Sequence, residues 1–104
     1  METEYIYHVT TQEEWEQAQK ENEYKPKGYD QEGFIHCSIE RQVPGVLDRF
    51  FKGKTNLVKL KIEKAKLQRP LLFELATDLD ELFPHIYGPL NLDSVVEVTS
   101  LSKN

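Results

Sequence analysis

The chain has 104 residues, of which 38% are hydrophobic and 30% are charged, and its formal net charge is −5. This length fits a single domain over residues 1–104, and the recurring aromatic and β-branched residues exclude a disordered chain. Because no cluster of lysine and arginine stands out, we expect no nucleic-acid partner. Because no apolar run approaches about 20 residues, we expect no membrane span.

Cysteine usage and the N-terminus bear on the compartment. The lone Cys37 excludes an internal disulfide and favours a reducing environment. The first four residues, Met-Glu-Thr-Glu, are acidic, whereas a signal peptide begins with a basic segment. We therefore expect a cytoplasmic protein, whose oligomeric state the sequence leaves open.

The first strand and the first helix are predicted near the N-terminus. Residues 5–9 are aromatic or β-branched, which is typical of a strand. Two overlapping capping boxes follow, one beginning at Thr10 and the other at Thr11, and either opens a helix that ends near Glu21. Residues 22–30 contain proline and glycine and are predicted to form a loop.

A second strand and a second helix are predicted next. In residues 34–38 the alternation places Cys37 on the core face and His36 on the opposite face. An apolar stripe with helical spacing then follows: Val43, Val46, Leu47, Phe50 and Phe51. Such a stripe is typical of a helix packed on a sheet, so we expect Phe50 to be buried.

The second half of the chain reads mainly as strands. Residues 57–62, 71–75 and 95–98 are predicted strands, the first with clear alternation of apolar residues and lysines. Residues 77–92 contain two prolines and a glycine and are predicted to form a stiff loop. Strands mixed with two main helices favour a small α+β domain with a mostly antiparallel sheet.

Three histidines are the candidates for chemistry. His8 shares a strand face with Thr10, and His36 shares one with Ser38, so each imidazole has a hydroxyl beside it. His85 lies on the predicted stiff loop near Tyr87, where a rigid backbone can present polar groups to a ligand. The alternative for each histidine is a structural hydrogen bond within the fold. No metal site is predicted, because the histidines lack the close spacing of zinc ligands.

Several motifs resemble an uncharacterised family of small bacterial domains. They are Tyr-His-Val-Thr at residues 7–10, Gly-Phe-Ile-His-Cys-Ser at residues 33–38, Glu74, and Leu-Phe-Pro-His-Ile-Tyr-Gly-Pro-Leu at residues 82–90. The fold of that family resembles the catalytic core of ADP-ribosyltransferases, in which a split antiparallel sheet surrounds an NAD cleft. The resemblance implies NAD as a candidate cofactor.

The same resemblance implies roles for individual residues. His8 matches a first-strand histidine that contacts the ribose of NAD, and Glu74 matches a carboxylate that stabilises developing positive charge. Where such enzymes carry an aromatic residue that stacks on nicotinamide, this chain has His36 and Ser38, with Tyr87 as a substitute.

The sequence therefore predicts a cleft that binds a nucleotide-like or phosphorylated small molecule. Whether the chain is an enzyme stays open, and the alternative is a partner-binding module that keeps the scaffold without the reaction. The predicted catalytic residues are His8, His36, Glu74 and His85, and the predicted ligand-binding residues are Thr10, Ser38 and Tyr87.

Overall fold

The computed structural model describes residues 4–101, so the first three residues of the acidic N-terminal segment lie outside it. The described chain is a small α+β domain with two antiparallel three-stranded sheets. Its helices are α1 (Gln12–Glu21), α2 (Tyr29–Glu32) and α3 (Val43–Phe50). Its strands are β1 (Tyr5–Thr11), β2 (Ile35–His36), β3 (Leu57–Glu63), β4 (Leu71–Ala76), β5 (Glu81–Ile86) and β6 (Val95–Ser100). No helix within residues 4–101 is long and apolar enough to cross a membrane.

The two sheets meet at one point. The strand order is β1-β3-β6 in one sheet and β2-β5-β4 in the other. Tyr7 of β1 and Ser38, just after β2, exchange two backbone hydrogen bonds of 2.7 Å each. In the described chain this single bridge joins the sheets, and beyond it β1 and β2 separate.

The main core lies between the sheets and α1. Ile6, Leu60 and Ile86 are fully buried there, and α1 contributes the two residues of its inner face, Trp15 and Ala18. The helix begins after Thr11, whose side chain accepts the backbone N–H of Glu14 at 3.0 Å. Of the two predicted capping boxes, the structure therefore uses Thr11 as the cap.

Helix α3 packs on the opposite face of the first sheet. Val43, Leu47 and Phe51 lie on one row of the helix and contact a second apolar cluster that includes Tyr7, Val9 and Leu57. Val46 and Phe50 lie on the neighbouring row of the helix, and both line a cleft in the protein surface. The Phe50 side chain is 59% exposed. The prediction of a buried Phe50 is therefore wrong, because the apolar stripe is divided between the sheet and the cleft.

Phe50→Ala is expected to lower the free energy of unfolding by less than about 1 kcal/mol, because surface substitutions have small effects. A buried phenylalanine would cost about 3–5 kcal/mol when truncated to alanine. Urea denaturation of both proteins separates the two cases, and a loss above about 3 kcal/mol would show that the ring is packed in solution.

The predicted loop over residues 77–92 contains a strand that the sequence analysis missed. Residues Glu81–Ile86 form β5, the central strand of the second sheet, although Pro84 lies within it. Proline is rare in central strands because it has no N–H for the ladder. Here the Pro84 carbonyl accepts the Cys37 N–H at 2.9 Å, at the point where the short β2 has ended. His85 therefore lies on a strand rather than on a loop.

Candidate functional site

A cleft of about 780 Å³ lies where the two sheets separate. All three histidines line it, although they come from β1, β2 and β5. Thr10 and Ser38 also line the cleft. Of the seven predicted site residues, Glu74 and Tyr87 are outside the lining: Glu74 contacts His85, and the Tyr87 hydroxyl donates to Glu74. The structure thus brings the predicted residues together, while their roles in binding or catalysis stay predictions.

His8 fills the gap that opens between β1 and β2. Its Nδ1 lies 2.6 Å from the carbonyl oxygen of His36, and its Nε2 lies 2.7 Å from the hydroxyl of Tyr24. A carbonyl can only accept, so Nδ1 carries the hydrogen and Nε2 accepts the Tyr24 hydroxyl. In a continued antiparallel ladder the His36 carbonyl would instead accept a backbone N–H of β1. The imidazole therefore replaces a ladder bond at the split.

Burial decides the charge of His8. Desolvation of the buried ring lowers its pKa to about 4, against the upward effect of the bond to the His36 carbonyl. Burial also raises the pKa of Tyr24, so both partners are neutral at pH 7. With both ring nitrogens occupied, His8 holds the backbone of His36 in place and offers no free nitrogen to a ligand.

The depressed pKa of His8 predicts acid lability. Its usual pKa of 6.5 is lowered to about 4 in the folded chain, so the unfolded chain binds the proton more tightly. The stability from neutral His8 is fully present above pH 6.5 and is lost as the pH falls towards 4. The shift corresponds to about 3 kcal/mol.

Urea denaturation at pH 7 and pH 4.5 measures this loss, with His8→Gln as the control. Glutamine does not titrate, so the variant lacks the pH-dependent stability that His8 contributes. The carboxylates, which also titrate in acid, are the same in both proteins. Equal pH dependence in the two proteins would contradict the assignment of a neutral, buried His8.

His36 and His85 form a close pair across β2 and β5. They are register partners on these strands, and their ring centroids are 5.1 Å apart with an angle of 79° between the planes. His36 is exposed, and its Nε2 lies 2.7 Å from Oε1 of Glu32 on α2. Gly33 separates the two residues, and its positive φ of 84° turns the chain from α2 into β2.

His85 is held by a carboxylate on the neighbouring strand. Its Nδ1 lies 2.6 Å from Oε1 of Glu74, and the same oxygen accepts the Tyr87 hydroxyl at 2.5 Å. The hydrogen bonds from Tyr87 and then His85 lower the pKa of Glu74, which is therefore a carboxylate at neutral pH. The hydrogen bond between Tyr87 and Glu74 also raises the pKa of Tyr87. Glu74 thus fixes the orientation of the His85 ring, as a carboxylate does in many histidine sites.

Phe34 joins these rings into one cluster. Its ring stacks on His85 with centroids 4.2 Å apart and planes 18° apart, and its centroid lies 4.8 Å from that of His36 and 5.2 Å from that of Tyr87. Phe34, Glu32 and Tyr24 are site residues that the sequence analysis missed. Strand alternation puts Phe34 on the same face as His36, so this residue could have been found. Glu32 and Tyr24 depend on how the loop before β2 folds.

The remaining polar groups of the cleft are partly engaged. The Thr10 hydroxyl donates to Oε1 of Glu14 at 2.6 Å, a bond that links β1 to α1. Two lysines, Lys27 and Lys54, line the cleft together with the carboxylates of Glu14, Glu32 and Asp78. Within residues 4–101, no group of three histidine, cysteine, aspartate or glutamate side chains converges as a metal site.

Comparisons with known proteins give a family but no activity. A family model described as a protein of unknown function (DUF952) matches residues 9–98. The crystal structure of protein CC0527 from Caulobacter crescentus is 29% identical, with a TM-score of 0.86 over 96% of this chain and 88% of that chain. The solution NMR structure of CC0527 is 28% identical, with a TM-score of 0.82 over 98% of this chain and 88% of that chain. No curated protein matches the chain significantly.

Proposed function

The chain belongs to the DUF952 family of proteins of unknown function, and we propose that it binds a nucleotide-like or otherwise phosphorylated small molecule in the cleft. The observation that carries this proposal is the convergence of His8, His36 and His85 from three strands on one cleft. Such convergence of polar residues distant in sequence is typical of a ligand site. On the grounds given by composition, we propose that residues 1–104 act as one cytoplasmic domain.

The lining of the cleft supports this class of ligand. The exposed ring of Phe50 and the ring of Phe34 offer flat apolar surfaces to a base. Lys54 and Lys27 provide positive charge for a phosphate, and His36 adds a hydrogen-bonding ring at the open side. Aromatic side chains beside cationic side chains suit a ligand that has both a planar ring and a phosphate.

NAD-related ADP-ribosyl chemistry is the finer form of the proposal. Its support is the position of the cleft at the split between two antiparallel sheets. His8, on the first strand, would have to give up its hydrogen bond to Tyr24 to contact the ribose. This chemistry requires a carboxylate near the reacting ribose carbon. Glu74 is the candidate, and it would have to leave its hydrogen bonds to His85 and Tyr87 to reach the ligand.

A thermal-shift screen with NAD, ADP-ribose, nucleotides and sugar phosphates tests the proposal. A ligand that binds only the folded chain, at about 100 times its Kd, stabilises it by about 2.7 kcal/mol. In a domain of this size, each kcal/mol raises Tm by about 4–8 °C. We expect at least one compound of the panel to raise Tm by several degrees. No shift with any of them would contradict the proposal.

The rival function is a partner-binding module without a reaction. One observation favours it, an exposed apolar cluster formed by β4 and β5. Phe73, Leu75 and Leu82 are 42%, 55% and 54% exposed there, and none of them lines the cleft. Monomeric proteins rarely expose large contiguous apolar patches. A negative ligand screen would leave this rival as the better account.

A further inference from the structure

Two histidine–carboxylate pairs lie side by side, with both imidazole rings lining the cleft. Glu32 engages Nε2 of His36, and Glu74 engages Nδ1 of His85. Within residues 4–101, no hydrogen bond engages the other nitrogen of either ring. The 5.1 Å between the ring centroids is short enough for both rings to contact one reacting group.

From this geometry we infer that His36 and His85 act as a general acid–base pair that hydrolyses a phosphodiester bond in a nucleotide-like ligand. The inference rests on the proposed function, because the ligand must first occupy the cleft. A carboxylate that orients an imidazole, with the second ring nitrogen left for the substrate, is the arrangement used for proton transfer in many enzymes. Two such rings allow one to be neutral while the other is protonated.

The reaction balances with water as its only co-reactant. The neutral imidazole removes a proton from a water molecule, whose oxygen forms a bond to phosphorus. The bond from phosphorus to the leaving oxygen breaks, and the protonated imidazole gives its proton to that oxygen. The products are a phosphate monoester and an alcohol. The two rings end with their protons exchanged and are reset by solvent.

The charges around the pair favour a diester over a monoester. Glu32 contacts the ring of His36, and Glu74 contacts the ring of His85. Two further carboxylates and two lysines line the cleft: Glu14, Asp78, Lys27 and Lys54. A diester carries one negative charge, which one protonated imidazole offsets. A monoester carries nearly two charges at neutral pH, and the neighbouring carboxylates repel it more strongly.

The test is hydrolysis of 2′,3′-cyclic AMP by the full chain in buffer with EDTA, followed by phosphorus NMR. We expect turnover with a rate that is highest at intermediate pH and falls on both sides, because one ring must be neutral and the other protonated. His36→Ala and His85→Ala should each lower the rate by about 10²–10⁴-fold. His85→Ala also removes the contact with Glu74. His85→Asn is therefore a second variant, whose side-chain amide can still donate to Glu74.

The control is Lys20→Ala, an exposed position on α1 outside the cleft, which should leave the rate unchanged. A thermal-shift titration with the same compound separates the two proposals. Binding without hydrolysis by the natural chain would overturn the acid–base inference and leave the proposed function standing. Hydrolysis that persists in both histidine variants would also overturn it. No binding of any panel compound would overturn the proposed function itself.

Discussion

Replacing His8 by alanine is expected to lower the free energy of unfolding by about 3–5 kcal/mol. The variant removes a buried ring and takes a hydrogen-bond partner from two groups, the His36 carbonyl and the buried Tyr24 hydroxyl. Each unsatisfied group costs about 1–3 kcal/mol, and the cavity adds to this. Urea denaturation at pH 7 measures the change.

Tyr24→Phe and His36→Ala are the matched variants for this prediction. Tyr24→Phe removes one hydrogen bond to His8 and should cost about 1–3 kcal/mol, less than the loss of the whole ring. The His36 side chain is exposed, so its removal should cost less than about 1 kcal/mol. If His8→Ala cost no more than His36→Ala, the hydrogen bond from the imidazole to the His36 carbonyl would not stabilise the fold.

The joint substitution of His36 and His85 by alanine is expected to abolish ligand binding at the cleft. The two rings contact each other and Phe34, and all three residues line the cleft. Each single substitution should weaken binding by at least about tenfold, which is about 1.4 kcal/mol. Calorimetric titration with the best compound of the thermal-shift panel measures both effects.

Phe73→Ala is the control for the joint variant, because Phe73 is an exposed aromatic residue on β4 outside the cleft. Its binding constant should equal that of the natural chain. If Phe73→Ala weakened binding while the joint histidine variant did not, the ligand site would lie on the exposed face of β4 and β5.

Local sequence patterns predicted the strands well where alternation was clear. The alternation of apolar residues and lysines in residues 57–62 predicted β3, which lies at Leu57–Glu63. Its lysines are half-buried, on the sheet face that also carries Tyr7 and Val9. The same alternation placed Cys37 in the core and His36 outside it, as found. Burial there raises the pKa of the Cys37 thiol and disfavours the reactive thiolate.

The failures have physical reasons that lie in long-range packing. Pro84 argued against a strand, yet β5 forms because β2 and β4 cover its two edges. Phe50 has the right helical spacing for the core, but the sheet beneath α3 does not extend under that row. No local pattern tells how far a neighbouring sheet extends.

The candidate site was likewise predictable only in part from the sequence. The three histidines were visible as isolated polar residues, and face assignment placed His8 beside Thr10 and His36 beside Ser38. The partners that determine their chemistry were not visible. Tyr24 and Glu32 come from the segment between α1 and β2, whose path is set by tertiary contacts such as the backbone bonds of Tyr24 with Leu90.

The most direct test of the proposed cleft is a nitrogen–proton NMR titration of the labelled chain with ADP-ribose. The compound carries a base, two riboses and a diphosphate, so it samples the proposed ligand chemistry. We expect the chemical-shift changes to concentrate at residues 33–38 and 83–87, with smaller changes at the end of α3. Changes confined to the exposed face around Phe73 and Leu75, or no changes at millimolar compound, would contradict the account.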